Sequence, residues 1–540
     1  MEFRLSHSFQ LPPPPAPAEA LLVAAGRHGA AGNWEAAETL CTELLARQPE
    51  HPEALHLRGV IATRRGQHED ACRWLERAAA LAPRTARIHY HLGNAHLAAG
   101  AFAAAEAAFR QAAALDPDLP EALNNLGNAL KQQHRLAEAI DCYRALLARH
   151  PSFAPALYNL GRALAEQGDP AAAVACLRAA LATPPPPGEE ARAADIHEAL
   201  AAALVELGEH EAAIAASRAM QALAPGKPLG VWNEALSLLA LGRYAEAWPG
   251  YERRWELPGF RDADEAGQPP PEVPTLSDLA GKRVLLRWEQ GRGDVIQFMR
   301  YATPVSRIAA AVTLCVYPEL RELAASVPGV ACAITDADPE PAHDVAASLM
   351  SLPLVFATTL ASIPARIPYV TAPTERRVRW REKLAATPTP RVGLCWWGSD
   401  HSRRSSIALP LLEPLLRLPG LGFHAVQKEI PEAHRGFLTA APLVDHSAAL
   451  EDFADTAALL AALDLVITID TAVAHLAGAL GRPVWILLRR GADWRWLRAR
   501  ADSPWYPTAR LFRQGADGTW EPVVAAVRAA LIAWQAGRVP

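Results

Sequence analysis

Two patterns of apolar and polar positions divide the chain. Up to about residue 258, helical blocks return in one register: AAGNWEAAETL, RRGQHEDACRW, AAGAFAAAEAA, QQHRLAEAIDC, EQGDPAAAVAC, ELGEHEAAIAA and ALGRYAEAWPG. Gly32, Gly66, Gly100, Gly168, Gly208 and Gly242 share one column, with His134 as the exception, and Gly32, Gly66 and Gly100 follow one another 34 residues apart. Ala37, Ala71, Ala105, Ala139, Ala173, Ala213 and Ala247 form a second column, where two helices must approach closely. Pro49, Pro83, Pro117, Pro151 and Pro225 form a third and end the second helix of their units. No such unit can bury its apolar face alone, so the pattern predicts a continuous stack with a concave inner surface.

The period and the three columns resemble the tetratricopeptide repeat family over residues 17–258, with about seven units and a short insert near Gly188 after the prolines at 184–187. The Pro-rich segment 1–16 is expected to be disordered. The resemblance implies a protein or peptide partner on the concave face. Asn124, Asn125, Asn128, Tyr158 and Asn159 fall on first helices, which line that face in the family. Asn124, Asn128 and Asn159 are therefore candidates for hydrogen-bonding a peptide backbone, or else solvated polar positions. The last unit ends in WPGYERRWELPGF, whose aromatics suit a helix that docks on the next domain, and the Pro- and acid-rich stretch 259–275 reads as a linker.

Beyond the linker the helical repeat gives way to short β-branched runs alternating with helical segments. VLLRW (284–288), VTLCV (312–316), RVGLCWW (391–397), GFHAVQ (422–427), LVITI (465–469) and VWILL (484–488) are the expected strands, with helices from about Val295 and from Pro318. Two such runs, 276–387 and 388–540, predict two Rossmann-like α/β lobes behind the α-helical first half. Ligands of such sheets bind outside the carboxyl ends of the strands. LVITIDTAVAHLAGALGRPVW places Asp470-Thr471 at that end of a strand, at the mouth of a helix, with His475 one turn further on. Either side chain can cap the helix, or the free N–H groups of its first turn can hold a phosphate.

This segment resembles the donor-binding motif of the glycosyltransferase family that includes bacterial heptosyltransferases, and EQGRGDVIQF resembles that family's Gly-Asp loop. The resemblance implies a GT-B fold with acceptor on the first lobe, nucleotide-diphosphate sugar on the second as co-substrate, and no metal or other cofactor. It makes Asp294 the candidate base and His475 a second catalytic candidate, with Gly291 and Gly293 bending the Asp294 loop; Asp294 also reads as a helix N-cap before Val295. Asp470, Thr471, Ala472 and Val473 become the donor cradle. Ser399 and Arg404, in the loop CWWGSDHSRRSSIAL, are candidates for the diphosphate, and Glu429 for the ribose. That loop is shorter than in many relatives, which leaves a second possibility: a tetratricopeptide scaffold with a degenerate GT-B half. EQGRGDVIQFMRY, DWRWL and SPWYPTARLFRQ extend the likeness to bacterial repeat–transferase fusions, and the tryptophans among them read as sugar-site walls or as packing.

Composition narrows the classes. A net charge of −5 gives no electrostatic reason to expect nucleic acid, and seven scattered cysteines without a C-x-x-C fit reduced thiols in a cytoplasm. No apolar run approaches the ~20 residues of a membrane span. The triplets Asp262-Ala263-Asp264 and Asp336-Ala337-Asp338 match the metal-binding pattern of another transferase fold only over three residues, and no P-loop, G-x-S-x-G or H-E-x-x-H occurs.

Overall fold

The computed structural model describes residues 18–183, 190–260, 271–398 and 405–537; the expected disordered segment 1–16 lies outside them. The chain forms two compact units, 1–188 and 189–540. They divide within the insert after the fifth repeat, whereas the sequence suggested a division at 259–275.

The first unit is a stack of helical pairs, from Ala18–Ala30 with Trp34–Arg47 to Ala154–Gln167 with Pro170–Leu181. The glycine column has a backbone cause. Gly32, Gly66, Gly100 and Gly168 take φ of 78°, 75°, 75° and 95°, turning the chain between the two helices of a pair. His134 takes φ 60° in the same place and carries the Cβ penalty of about 1–2 kcal/mol that glycine avoids. Every alanine of the second column is fully buried. Facing it is a further column that the sequence reading passed over: a Cβ on Gly59, Gly93, Gly127 or Gly161 would collide with Leu75, Phe109, Tyr143 or Leu177. The two helices of the second to fifth pairs thus touch at a large side chain on a glycine.

The second unit begins with two more pairs, Glu190–Glu206 with His210–Leu223 and Pro228–Ala240 with Tyr244–Tyr251. Two parallel sheets follow. The first contains β1 (Arg283–Arg287), β2 (Ala311–Cys315), β3 (Cys332–Ile334) and β4 (Val345–Ser348), in the order β3-β2-β1-β4. The second contains β5 (Arg391–Cys395), β6 (Gly422–Ala425), β7 (Leu443–Asp445), β8 (Leu465–Ile469), β9 (Val484–Leu488) and β10 (Ala509–Arg513), in the order β10-β9-β8-β5-β6-β7. All pairings between these strands are parallel, with Val284 opposite Val312 and Val392 opposite Leu465. β8 and β9 are buried along their whole length, which is why they read as unbroken apolar runs. Each sheet reverses its strand order once, between β1 and β4 and between β5 and β8, so each has a crevice at its switch point.

The last repeat pair docks on both lobes. Tyr244, Trp248 and Tyr251 share one core with Phe298 and Tyr301 of the first lobe and Trp494, Trp505 and Tyr506 of the second. Trp248 Nε1 donates to the Thr358 carbonyl at 2.8 Å, and Trp505 Nε1 to Tyr244 Oη at 3.0 Å. Trp494, Trp496 and Trp505 are buried in this core. Among the described residues no helix is long and apolar enough to cross a membrane.

Candidate functional site

β1 ends at Arg287, and the loop after it enters the helix Arg292–Phe298. Asp294 is the third residue of that helix, so it is not the N-cap before Val295 that the sequence allowed; the helix starts three residues earlier, behind Gly291. Its Oδ2 accepts the Gly291 N–H at 2.8 Å, fastening the loop back on itself. Its Oδ1 lies 2.6 Å from Arg495 Nη2. Burial raises its pKa above the usual carboxylate range, against the pull of Arg495, while the charge of Asp493 adds to the rise.

β8 delivers Asp470 and Thr471 to the other side of the crevice. Thr471 is the N-cap of the helix Ala472–Ala479, yet its side chain makes no capping bond; its hydroxyl lies 3.3 Å from that of Thr468. Neither the Ala472 nor the Val473 N–H has a hydrogen-bond partner among the described residues. Gly293 lies directly on this helix mouth: a Cβ there would stand 3.0 Å from His475 Cδ2 and 3.5 Å from Ala472 Cα. The two glycines thus do different work. Gly291 supplies the N–H that Asp294 holds, and Gly293 lets the loop rest on the helix N-terminus.

Asp470 has its pKa pushed up to about 7, chiefly by burial and then by Asp493, with the Trp496 indole and Arg495 pulling it down. His475 is buried, with Nδ1 2.9 Å from Tyr506 Oη and its ring stacked 5.2 Å from Trp496. Burial, then Arg495 and Arg300, hold its pKa well below the usual range, so the ring is neutral. Ser399 and Arg404 lie outside the described residues. Glu429 is exposed after β6, and it is Gln427, two residues earlier, that turns inward. Gln427 Oε1 accepts the Trp397 N–H at 3.0 Å and Nε2 donates to the Trp397 carbonyl at 2.9 Å, holding the start of the 396–405 loop.

Arg495 is the site residue that sequence reasoning missed. Its only signal was its place in DWRWL, where flanking tryptophans suggest packing. Asp493, two residues before it, accepts from Arg495 Nη1 at 2.9 Å. The site therefore brings Asp294, Asp470 and Asp493 around one guanidinium.

In the first unit, the candidate asparagines bond to one another. Asn159 Nδ2 donates to Asn124 Oδ1 at 2.9 Å, Asn124 Nδ2 to Asn125 Oδ1 at 3.1 Å, and Asn125 Nδ2 to Asn94 Oδ1 at 2.8 Å. Asn128 Oδ1 accepts from Tyr143 Oη at 2.7 Å. They form a ladder across three first helices, which spends part of their bonding capacity internally.

Comparison with known proteins agrees with both halves. Tetratricopeptide repeats match at residues 22–84, 124–188 and 166–228, and a TPR repeat at 93–134. Glycosyltransferase family 9 (heptosyltransferase) matches at residues 448–490, the segment that contains β8, Asp470 and the helix Ala472–Ala479. Protein FlbA of Caulobacter vibrioides is 30% identical over 366 residues; the match covers 61% of this chain and 60% of FlbA. Among solved structures, MamA is 24% identical, covering 29% of this chain and 93% of that one with a TM-score of 0.28. YrrB, described as a TPR protein with an unusual peptide-binding site, is 16% identical, covering 35% and 95% with a TM-score of 0.29. The chain carries tetratricopeptide repeats in its N-terminal region, and its C-terminal region contains a segment that matches glycosyltransferase family 9.

Proposed function

We propose that the chain transfers a sugar from a nucleotide-diphosphate sugar to an acceptor, a protein recruited by the repeats. One observation carries this reading: the loop bearing Asp294 rests through Gly293 on the mouth of the helix Ala472–Ala479, within the family 9 segment. A carboxylate at one switch point thus faces free backbone N–H groups at the other. In the reaction, the acceptor hydroxyl oxygen attacks the anomeric carbon and the bond from that carbon to the diphosphate oxygen breaks. Asp294 takes the hydroxyl proton. The Ala472 and Val473 N–H groups stabilise charge on the departing diphosphate, assisted by Ser399 and Arg404, so that no metal is needed. Asp470, protonated or not, hydrogen-bonds sugar hydroxyls beside the helix mouth, and Glu429 takes the ribose. His475, neutral and tied to Tyr506, supports the Gly293 loop from below and does not itself move a proton. Asn124, Asn128 and Asn159 offer their remaining bonding capacity to a peptide backbone.

A non-catalytic scaffold has one observation on its side, because both oxygens of Asp294 are already engaged. Hydrolysis of nucleotide sugars without acceptor separates the two. Incubation with UDP-, GDP- and ADP-sugars is expected to release nucleotide slowly from one class, and Asp294→Asn to slow that release by roughly 100-fold or more. No release from any donor would establish the scaffold, and unchanged release in the Asn variant would remove Asp294 as the base.

A further inference from the structure

Arg495 occupies a place that two groups need. It is 7% exposed, lies 4.5 Å over the Trp494 ring and 5.6 Å from that of Phe298, and its Nε has no hydrogen-bond partner among the described residues. Its charge is spent on Asp294 at 2.6 Å and Asp493 at 2.9 Å. Such a pair lowers the basicity of Asp294, the property a base most needs. Meanwhile the helix mouth under Gly293 offers two free N–H groups to an anion, but in the company of Asp294, Asp470 and Asp493. A diphosphate entering there meets carboxylate repulsion unless a cation turns toward it. Among the described residues, Arg495 pairs with Asp294 and also acts by its charge on Asp470 and His475 at the helix mouth, on a long side chain with an unused donor and a planar fork suited to phosphate.

We propose that Arg495 is shared between Asp294 and the diphosphate of the donor: it neutralises Asp294, and when donor binds it turns onto the phosphates and releases Asp294 as the base. The inference rests on the transferase reading. It makes donor binding the event that arms the site. The base is quiet until a leaving group is in place, and the same movement that frees Asp294 brings positive charge to the bond that will break. Asp493 keeps hold of Nη1 in both positions and acts as the pivot.

Sharing has a signature that a structural role lacks, because removing one claimant must favour the other. Binding of UDP, GDP, ADP and inorganic pyrophosphate to the full chain is measured by titration calorimetry, with the matching nucleosides as controls. Asp294→Asn frees Arg495 and is expected to tighten the diphosphate that the wild type binds by roughly tenfold, with nucleoside affinity unchanged. Arg495→Lys keeps the charge without the fork, and is expected to weaken diphosphate binding and to erase the gain when combined with Asp294→Asn. Binding by the wild type with no gain, or a loss, in Asp294→Asn overturns the sharing and leaves the transferase reading standing. No binding of any probe to any of these proteins overturns both.

Discussion

Arg254 offers a direct test of how the last repeat holds the Asp294 loop. It follows the final repeat helix, is fully buried, and forms a two-pronged pair with Glu289: Nε to Oε1 at 2.6 Å and Nη2 to Oε2 at 2.8 Å. It also donates to Glu252 at 2.7 Å, to Ser351 at 2.9 Å and to the Tyr251 carbonyl at 3.2 Å. Glu289 in turn accepts from Ser348 at 2.5 Å, so the pair bridges the β1–β4 switch point. Arg254→Met strands a buried carboxylate, which costs about 3–5 kcal/mol. In urea, with m near the upper end at ~3 kcal/mol/M, the midpoint of the second unit falls by about 1–2 M. The transition is read from the tryptophans of the shared core, Trp248, Trp494 and Trp505. Replacing both partners, Arg254→Met with Glu289→Met, removes the more deeply buried stranded charge and leaves only Glu252, which is 13% exposed, so it is expected to restore about half of the loss. A single variant as stable as the wild type, or a double variant no better than the single, would refute the reasoning.

Two further expectations follow from single residues. His134→Gly relieves the only non-glycine position in the turn column, and should stabilise the first unit by about 0.5–1 kcal/mol once the added chain entropy of glycine is set against the relieved strain, measured by urea unfolding; a destabilisation would show that the His134 ring earns its place by contacts. Asp470 is pushed up to about 7 while facing Asp493, Trp496, Arg495 and Asp294. An acid raised in the folded state favours folding below its unfolded value, roughly 4, and loses that contribution as pH rises through 7. Asp470→Asn lacks this loss, so its stability relative to the wild type should climb between pH 4 and 7 and level off above; a flat difference would mean that the carboxyl is not raised.

The repeats were legible because each column has one local cause: a left-handed turn for glycine, a helix contact for alanine, a helix stop for proline. His134 broke the column in letters while keeping its backbone conformation. The central strands β1, β2, β5, β6, β8 and β9 were legible as apolar runs, since burial on both faces leaves no other composition open. β3, β4, β7 and β10 escaped. CAI and LVD are three residues long, VAAS is mostly small, and ARLFR carries arginine at its second and last positions. Strands at or near a sheet edge need less apolar surface, so their sequence says less.

The site divides along the same line. Asp294, Gly291, Gly293, Asp470 and the Ala472 helix mouth were legible because strand end, turn and helix start are consecutive in sequence. That Gln427 turns inward while Glu429, two positions on, stays exposed was not legible, because only the course of the loop decides it. The two arginines on the Asp294 loop were illegible for a stronger reason. Arg254 reaches it from 35 residues upstream, out of a repeat that reads as belonging to another domain. Arg495 reaches it from the second lobe, between tryptophans that read as core. Neither position is unusual until the fold brings it to Glu289 or Asp294. The stretch from Glu289 to Asp294 is thus gripped by a cation from the repeats at its start and a cation from the second lobe at its end. The first grip is buried on every side and has no competitor, so it holds the loop in place. On the sharing proposed above, a diphosphate competes for the second, and that asymmetry would make Arg495 the movable one.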